Sequence, residues 1–289
     1  MKKTSMIALA TVLIAGSLLT ACNKVTKVTD NSSTSTSAST GFSDQQKEQI
    51  GKIASDYIVK HPEVLIQASQ ALQAKQQQMQ QQAFTKNAIA NADALRDTDR
   101  STTGGKILSP VIGKSTAKVT VVEFYDSNCH FCHVSYPLVD KLLKTDTDVR
   151  YVAKQFPIFA QRWQSSQLAA QLGVLAYQQG GADMYAKFEA GIFNPKADLE
   201  EGKLTTDDVN KIAKAAGVDI SKLPSQLKAI NAKIDSDKNL AMKIGFQATP
   251  SFVILPTTGT ANASNVTVIY GYPGSMSRLQ AAVNKAKNN

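Results

Sequence analysis

Cysteine and histidine are scarce in this chain of 289 residues, which has three of each. Three cysteines cannot form the framework of several disulfides that stabilises many small secreted domains. A zinc site is disfavoured as well. Cys129, His130, Cys132 and His133 are adjacent ligands on about one turn and cannot complete a tetrahedron alone, and the remaining histidine is His61. The scarcity directs attention to the pair Cys129 and Cys132.

Acidic residues are outnumbered by basic ones, at 23 against 32, which gives a formal net charge of +9. The basic residues are scattered along the chain and rarely form clusters. This pattern predicts solubility and weak attraction to anionic surfaces, and we expect no nucleic-acid partner. The length and the 43% of hydrophobic residues suffice for one large domain with an accessory segment.

The one long apolar run lies at the N-terminus, at about residues 6–19, and it follows Lys2 and Lys3. It is too short to span a bilayer comfortably. Its form is that of a secretory signal peptide, which predicts export. Export favours persistent disulfide chemistry, since the cytosol keeps thiols reduced.

The run ends in Leu-Thr-Ala-Cys at residues 19–22, which resembles the lipobox of bacterial lipoproteins. The resemblance implies that residues 1–21 are removed and that the thiol of Cys22 becomes a lipid anchor. Asn23 stands where an inner-membrane lipoprotein often has Asp, so the outer membrane is favoured over the inner one. The alternative is a plain signal peptide with an incidental cysteine at its end.

Residues 22–41 are rich in Ser, Thr and Asn and predict a flexible tether. Residues 42–100 predict helices, beginning with a capping box at Ser43 and interrupted at Pro62. Nine of the sixteen residues from 67 to 82 are Gln, so the apolar stripe is thin and needs a surface to pack on. We expect this Gln-rich segment to be an oligomerisation stalk, with a dimer favoured and a trimer possible. The alternatives are a helix folded back on its own domain and partial disorder.

After a linker at residues 101–105, the composition changes to that of an α/β domain. The predicted order in residues 106–289 is strand, helix, strand, a long helical insertion at about 160–243, two strands and a closing helix. This order favours a mixed sheet with helices on its faces. Cys129 and Cys132 follow the first strand directly and open a helix.

A cysteine at the start of a helix faces the positive end of the helix dipole and unpaired backbone N–H groups, which favour the reactive thiolate. We therefore predict Cys129 as the exposed nucleophile and Cys132 as the resolving thiol, with His130 and Phe131 tuning the pair. With His133 the same letters spell the attachment motif of a c-type haem, which is the rival hypothesis.

Glu123 lies inside the apolar strand that precedes the cysteines. Strand alternation places it on one face with Val119, Val121 and Tyr125. A carboxylate there is costly unless it is protonated or partnered. We predict that it accepts the proton of Cys132; the alternative is a glutamate at a strand edge that reaches water.

The segment 121–132, which ends in Cys-His-Phe-Cys, resembles the active-site segment of the DsbA family of exported thiol:disulfide oxidoreductases. Residues 245–254 resemble that family's second signature, which implies that Pro250 is a cis-proline lying against the cysteines and that Thr249 is the residue before it. The family has a thioredoxin fold with a helical insertion. The resemblance covers about residues 107–289, and the Gln-rich segment before it resembles the stalks of DsbA-like lipoproteins and oligomeric ScsC-type proteins.

Two departures from the family pattern bear on the direction of the reaction. His130-Phe131 is not the Pro-His pair of strongly oxidising members. Thr249 resembles the corresponding residue of the DsbC and DsbG isomerases. Together with a self-associating stalk, these features point toward isomerase or mixed activity, since an oligomer holds several dithiols around one client.

We expect an enzyme of the periplasm that forms or isomerises disulfides and needs no cofactor beyond the Cys129–Cys132 disulfide. Its expected partners are unfolded or misoxidised exported proteins and a membrane redox partner. The alternatives are a haem electron-transfer protein and a non-enzymatic surface lipoprotein with a thioredoxin-like body.

Overall fold

A computed structural model describes residues 41–96, 109–193 and 203–287. The predicted signal peptide, the lipid-anchor residue Cys22, most of the predicted tether and the linker at 101–105 lie outside these residues. Within the described ranges, none of the helices combines the length and the apolarity needed to cross a membrane. The chain divides into two compact units, with the boundary between Pro62 and Glu63.

The first unit contributes one described helix, α1, at Asp44–Lys60. Ser43 and Gln46 form the predicted capping box: the Ser43 N–H donates to Gln46 Oε1 at 2.8 Å, and the Gln46 N–H donates to Ser43 Oγ at 3.3 Å. No residue of α1 is buried. Its predicted apolar face is open, with Ile53 exposed to 68% and Tyr57 to 55%.

The second unit begins with α2 at Glu63–Ala90 and the short α3 at Ala92–Arg96. The first turns of α2 leave their apolar residues exposed, among them Leu65 and Leu72. Its last turns are different, because Phe84 and Ala88 are buried. One continuous helix therefore has a part that is exposed among the described residues and a part that is packed.

Five strands form one sheet in the order β1-β3-β2-β4-β5. Strands β2 and β3 are parallel, and the other neighbouring pairs are antiparallel. The strands are β1 Val111–Ile112, β2 Val119–Tyr125, β3 Val149–Gln155, β4 Ser251–Pro256 and β5 Thr267–Tyr270. The remaining described helices are α4 His130–Thr145, α5 Gln164–Ile192, α6 Thr206–Ala215, α7 Leu223–Ile244 and α8 Met276–Lys287. The mixed α/β class is confirmed, and α5 to α7 form the predicted helical insertion between β3 and β4.

The central strand β2 is buried along its whole length, so its alternating residues serve two separate cores. Val121 and Tyr125 face a core shared with α4, α5 and α8. Val122 and Phe124 face the opposite core, which is closed by α3, α7 and the end of α2. The alternation predicted for this strand is thus realised, with Glu123 on the Val121 face.

The end of α2 is attached to the sheet by aromatic packing and by side-chain hydrogen bonds. The Phe84 ring lies 5.5 Å from that of Phe246 and 5.1 Å from that of Tyr270. Gln81 Nε2 donates to the Val268 carbonyl on edge strand β5 at 2.9 Å. Part of the segment predicted as a stalk is therefore packed into the body, while the predicted domain bounds themselves stay a prediction.

Gly245 allows this attachment. It ends α7 with φ +103°, a conformation that favours glycine, and a Cβ atom there would meet the Phe84 ring at 3.0 Å. Because glycine has no side chain, it can adopt the φ that ends α7 and also leaves room for the Phe84 ring of α2.

We expect Phe84→Ala to lower the free energy of unfolding of the second unit by about 3 kcal/mol, because it removes a buried ring and leaves a cavity. Gln82→Ala, on the exposed side of the same turn, should change it by less than about 0.5 kcal/mol. Urea denaturation compares the two variants with the parent protein. Equal midpoints for both variants would show that α2 does not stabilise the body.

Candidate active site

The two cysteines lie where β2 has ended and α4 begins. Cys129 is the N-cap of α4, and Cys132 lies in its first turn, with its N–H donating to the Cys129 carbonyl at 3.0 Å. The structure has both as free thiols. Cys129 is only 4% exposed and Cys132 only 1%, so the prediction of an exposed Cys129 is wrong. The cause is the segment at Thr249, which lies against the Cys129 sulfur.

The two thiols have opposite electrostatic environments. The Cys132 thiol, acting as a hydrogen-bond donor, is the largest influence that lowers the pKa of Cys129, to about 7 from 9.0. Burial opposes this change, while the Thr249 side chain and the backbone N–H groups of Cys132 and Phe131 add to it. Burial raises the pKa of Cys132 well above its ordinary value, and the neighbouring Cys129 and Glu123 raise it further. At pH 7 about half of the Cys129 side chains are therefore thiolates, whereas Cys132 remains a thiol.

Thr249 and Pro250 lie beside Cys129, as the resemblance implies. The peptide bond between them is cis, and Cys129 Sγ donates to the Thr249 carbonyl at 3.2 Å. The Thr249 hydroxyl is buried, and among the described residues it has no hydrogen-bond partner. A hydroxyl next to a thiol without a competing partner is available to donate to the thiolate.

Asp126 and Asn128 fix the short loop between β2 and Cys129. The carboxylate of Asp126 accepts from the Asn128 N–H at 2.8 Å and from the Phe159 N–H at 2.9 Å. Asn128 Nδ2 donates to the hydroxyls of Ser165 and Ser166 at the start of α5, both at 2.9 Å. Sequence reasoning missed these positioning residues. The Asp-x-Asn pattern, typical of turns that bond to their own backbone, was the signal available.

Glu123 is buried, at 5% exposure, in a strand that has neighbours on both sides. The alternative of a solvent-reaching glutamate at a strand edge is therefore wrong. Tyr151 donates its hydroxyl proton to Glu123 Oε2 at 2.9 Å. Burial raises the pKa of Glu123 well above its ordinary value, and this hydrogen bond only partly opposes the change. The carboxyl can thus hold a proton, and its charge raises the pKa of Cys132.

His130 and Phe131 lie between the cysteines and are both exposed. The Phe131 ring is 54% exposed and stacks at 6.3 Å on the ring of Tyr272. The tuning role assigned to His130 and Phe131 stays a prediction. His133 Nε2 is hydrogen-bonded to the Ser127 carbonyl at 2.8 Å, so the nitrogen that would ligate a haem iron is already engaged.

In the described ranges no three side chains of His, Cys, Asp or Glu come together as a metal site would require. The zinc hypothesis therefore lacks a ligand set among these residues. The arrangement around Cys129 instead fits thiol–disulfide exchange: a stabilised thiolate, a buried second thiol and a carboxyl behind it.

A family model described as "Thioredoxin" matches residues 106–264, more than half of the chain. The chain belongs to the thioredoxin family. A second model, described as the N-terminal domain of the copper resistance protein ScsC, matches residues 46–78 in the predicted stalk. The thioredoxin fold with a helical insertion, preceded by a helical N-terminal segment, is thereby confirmed.

Three relatives define the neighbourhood of this thioredoxin-family chain. BcfH of Salmonella enterica Typhimurium has 30% identity and a TM-score of 0.71 over 84% of this chain and 97% of its own. A thioredoxin-like oxidoreductase from Silicibacter pomeroyi DSS-3 has 30% identity and a TM-score of 0.54 over 68% of this chain and 98% of its own. "Disulfide bond formation protein D" of Bacillus subtilis is 28% identical over 153 residues, which are 50% of this chain and 67% of that protein. The family supports thiol:disulfide oxidoreductase chemistry and the DsbA-like assignment.

We expect Cys129 to be alkylated by iodoacetamide at a rate that rises with pH and passes half its maximum near about pH 7, because only the thiolate reacts. Thr249→Val removes the hydroxyl and should move this midpoint upward by roughly one pH unit. Thr249→Ser keeps the hydroxyl and should leave it in place. Mass spectrometry of the alkylated peptide measures the rates, and an unmoved midpoint in the valine variant would refute the role of the hydroxyl.

Proposed function

We propose that this protein is an exported, lipid-anchored thiol:disulfide oxidoreductase that forms and isomerises disulfide bonds in periplasmic proteins. The observation that carries the proposal is the asymmetric dithiol, with a stabilised thiolate at Cys129 and a buried thiol at Cys132, lying against the cis Thr249–Pro250 peptide. The name of the Bacillus subtilis relative, a disulfide bond formation protein, agrees with this chemistry.

In the oxidising direction a client thiolate attacks Cys129 Sγ of the enzyme disulfide, and Cys132 leaves as a thiolate. The protonated Glu123 carboxyl supplies a proton to that buried thiolate. A second client thiolate then attacks the client sulfur of the mixed disulfide, and Cys129 leaves as a thiolate, which its low pKa favours. The client loses two electrons and gains a disulfide, and the enzyme disulfide becomes a dithiol.

In the isomerising direction the Cys129 thiolate attacks a wrong client disulfide and releases one client thiolate. Another client thiolate then attacks the client sulfur of the mixed disulfide, a new client disulfide forms, and Cys129 leaves as a thiolate, so the enzyme returns unchanged. Cys132 provides an escape: after passing its proton to Glu123 it attacks Cys129 Sγ, the client leaves as a thiolate, and the enzyme is left with the Cys129–Cys132 disulfide. Thr249 favours isomerisation or mixed activity by its resemblance to the isomerase members of the family. The His130-Phe131 pair agrees with this, because it is not the Pro-His pair of the strongly oxidising members.

We also propose that the N-terminal segment assembles copies of the chain, with a dimer favoured and a trimer possible. The match of residues 46–78 to the ScsC N-terminal domain supports this assignment. Exposed apolar residues on α1, and separately on the first turns of α2, offer surface for a second copy. Diacylated Cys22 would hold the assembly at the periplasmic side of the outer membrane, where a membrane redox partner resets the dithiol.

The function is tested by trapping and by refolding. Cys132→Ser should accumulate mixed disulfides between Cys129 and exported clients, because the escape reaction is lost, whereas Cys129→Ser should accumulate none. Purified protein should rescue a substrate with scrambled disulfides, and its reduction potential should lie between the reducing and the strongly oxidising members of the family. A strongly reducing potential without refolding activity would contradict both the oxidase and the isomerase assignments. A haem absorption band would favour the electron-transfer alternative.

The stalk is tested by deleting residues 42–79, which leaves Gln81 and Phe84 to pack on the sheet. We expect the shortened protein to remain folded, to keep the exchange chemistry of Cys129 and to become monomeric. Light scattering after size exclusion measures the mass. An unchanged oligomeric state would place self-association elsewhere in the chain.

A further inference from the structure

Behind Glu123 a chain of buried polar side chains crosses from the sheet into the helical insertion. Tyr151 of β3, which bonds Glu123, also lies 3.2 Å from Oε1 of Glu189 on α5. Tyr185, one turn earlier on α5, lies 3.0 Å from the same Glu189 oxygen. Glu123 and Glu189 are each 5% exposed and Tyr151 is 2% exposed, so the cluster is shielded from bulk solvent.

A series of hydrogen bonds runs from Gln155 to Glu189. Gln155 Nε2, which can only donate, donates to the Tyr125 hydroxyl at 2.7 Å. The Tyr125 hydroxyl lies 2.9 Å from that of Tyr185 and donates to it, because Tyr185 uses its own single proton on Glu189 Oε1. Tyr185 in turn donates to Glu189 Oε1. Glu189 Oε1 thus has one hydrogen-bond donor, Tyr185, apart from Tyr151.

The single proton of the Tyr151 hydroxyl lies between two carboxyls. The Tyr151 hydroxyl has a single proton but lies within hydrogen-bond distance of both Glu123 and Glu189. When the Tyr151 hydroxyl donates to one of the two carboxylates, it has no proton left for the other. The other carboxyl can then bond to the Tyr151 oxygen only by donating a proton of its own. The arrangement therefore favours one proton shared by two carboxyls through Tyr151.

We propose that Glu189, a residue of the helical insertion, is a positioning residue of the thiol centre: through the Tyr151 hydroxyl it sets the protonation of Glu123, and thereby the proton transfer between Glu123 and Cys132. This inference rests on the proposed function and adds to it a residue outside the thioredoxin core. Glu189 does not touch the sulfurs and acts only through Tyr151 and Glu123.

Electrostatics around the cluster agree with this geometry. Burial raises the pKa of Glu189 to about 7, while hydrogen bonds from Tyr185 and Tyr151 oppose the change and Asp140 on α4 adds to it. For Glu123, burial is the largest cause of its raised pKa, and the charges of Glu189 and Cys129 raise it further. The titratable groups that face the two carboxyls from all packed elements are Tyr125 on β2, Tyr151 on β3, Cys129, Cys132, Tyr136 and Asp140 at and along α4, and Tyr185 on α5.

Two substitutions should shift the pKa of Glu123 in opposite directions. Glu189→Gln removes the charge that raises the pKa of Glu123, so Glu123 should become a base at lower pH. Tyr151→Phe removes the hydrogen bond that stabilises the Glu123 anion, so Glu123 should become a base only at higher pH. A purely structural role would not separate the two variants in this way.

The experiment measures the resolving step directly, in a Cys22→Ser background that removes the third thiol. Reaction with the aromatic disulfide dithiobis(nitrobenzoate) links a nitrothiobenzoate to Cys129 and releases the first coloured thiolate. Cys132 then passes its proton to Glu123 and attacks Cys129 Sγ, and the Cys129–Cys132 bond forms as the second coloured thiolate leaves. The rate of this second release is followed by stopped flow as a function of pH.

We expect the acid limb of the rate profile to move to lower pH by about one unit in Glu189→Gln and to higher pH by about one unit in Tyr151→Phe. Glu123→Gln should lose the limb and slow the release by about 100-fold. Tyr177→Phe is the control, because it removes a tyrosine hydroxyl as Tyr151→Phe does and lies on the same helix α5 as Glu189. It should leave the pH profile unchanged.

The outcomes separate the inference from the proposed function. Absence of any second release in the parent protein would overturn the role of Cys132 and with it the proposed function. A normal release whose acid limb is unmoved in Glu189→Gln and Tyr151→Phe, or moved in the same direction in both, would overturn only the role of Glu189. Because the midpoint does not depend on the active fraction, partial unfolding of a variant does not disguise the result.

Discussion

The parallel pairing of β2 with β3 holds both the core and the thiol site in place. Its register places Glu123 opposite Ala153 and Tyr151 opposite Val121, so the carboxyl and the phenol lie on one face, two residues apart along the ladder. A slip of one residue would turn Glu123 to the other face, against the core closed by α2 and α7. The same strand carries the chain directly to Cys129. The core and the thiol site are therefore set by a single backbone arrangement.

Two sulfurs one helical turn apart acquire different reactivity because their surroundings differ. Cys129 lies at the start of α4, where backbone N–H groups have no helical partner and where Thr249 approaches from a distant segment. Cys132 is enclosed by apolar neighbours and faces Glu123, so its thiol form is favoured. This difference is what makes one cysteine the attacking group and good leaving group, and the other the group that must exchange a proton.

Burying two carboxyls and several phenols inside one core is expensive unless their hydrogen bonds are satisfied. Here the bonds run from Gln155 through Tyr125 and Tyr185 to Glu189, which binds the insertion to the sheet. Raised carboxyl pKa values of this kind are typical of functional sites, where a group must hold a proton at neutral pH. The helical insertion thus covers the sheet and also contributes polar groups to the region behind the thiols.

Local periodicity in the sequence sufficed to predict the α/β class, the strand before the cysteines, the helix after them and the face on which Glu123 lies. Resemblance to a known family located Thr249 and Pro250. Neither source pointed to Glu189, which lies in a helix of ordinary pattern and meets Tyr151 from 38 residues away. Nor did the thin apolar stripe of α2 show that Phe84 packs on the sheet, because docking depends on a complementary surface and not on the helix alone. The positions of the reactive residues along each helix and strand follow from the sequence, because backbone geometry places neighbours at a fixed spacing. Their burial, their hydrogen-bond partners and therefore their pKa values depend on the folded chain, since desolvation and partner charges come from segments far apart in the sequence.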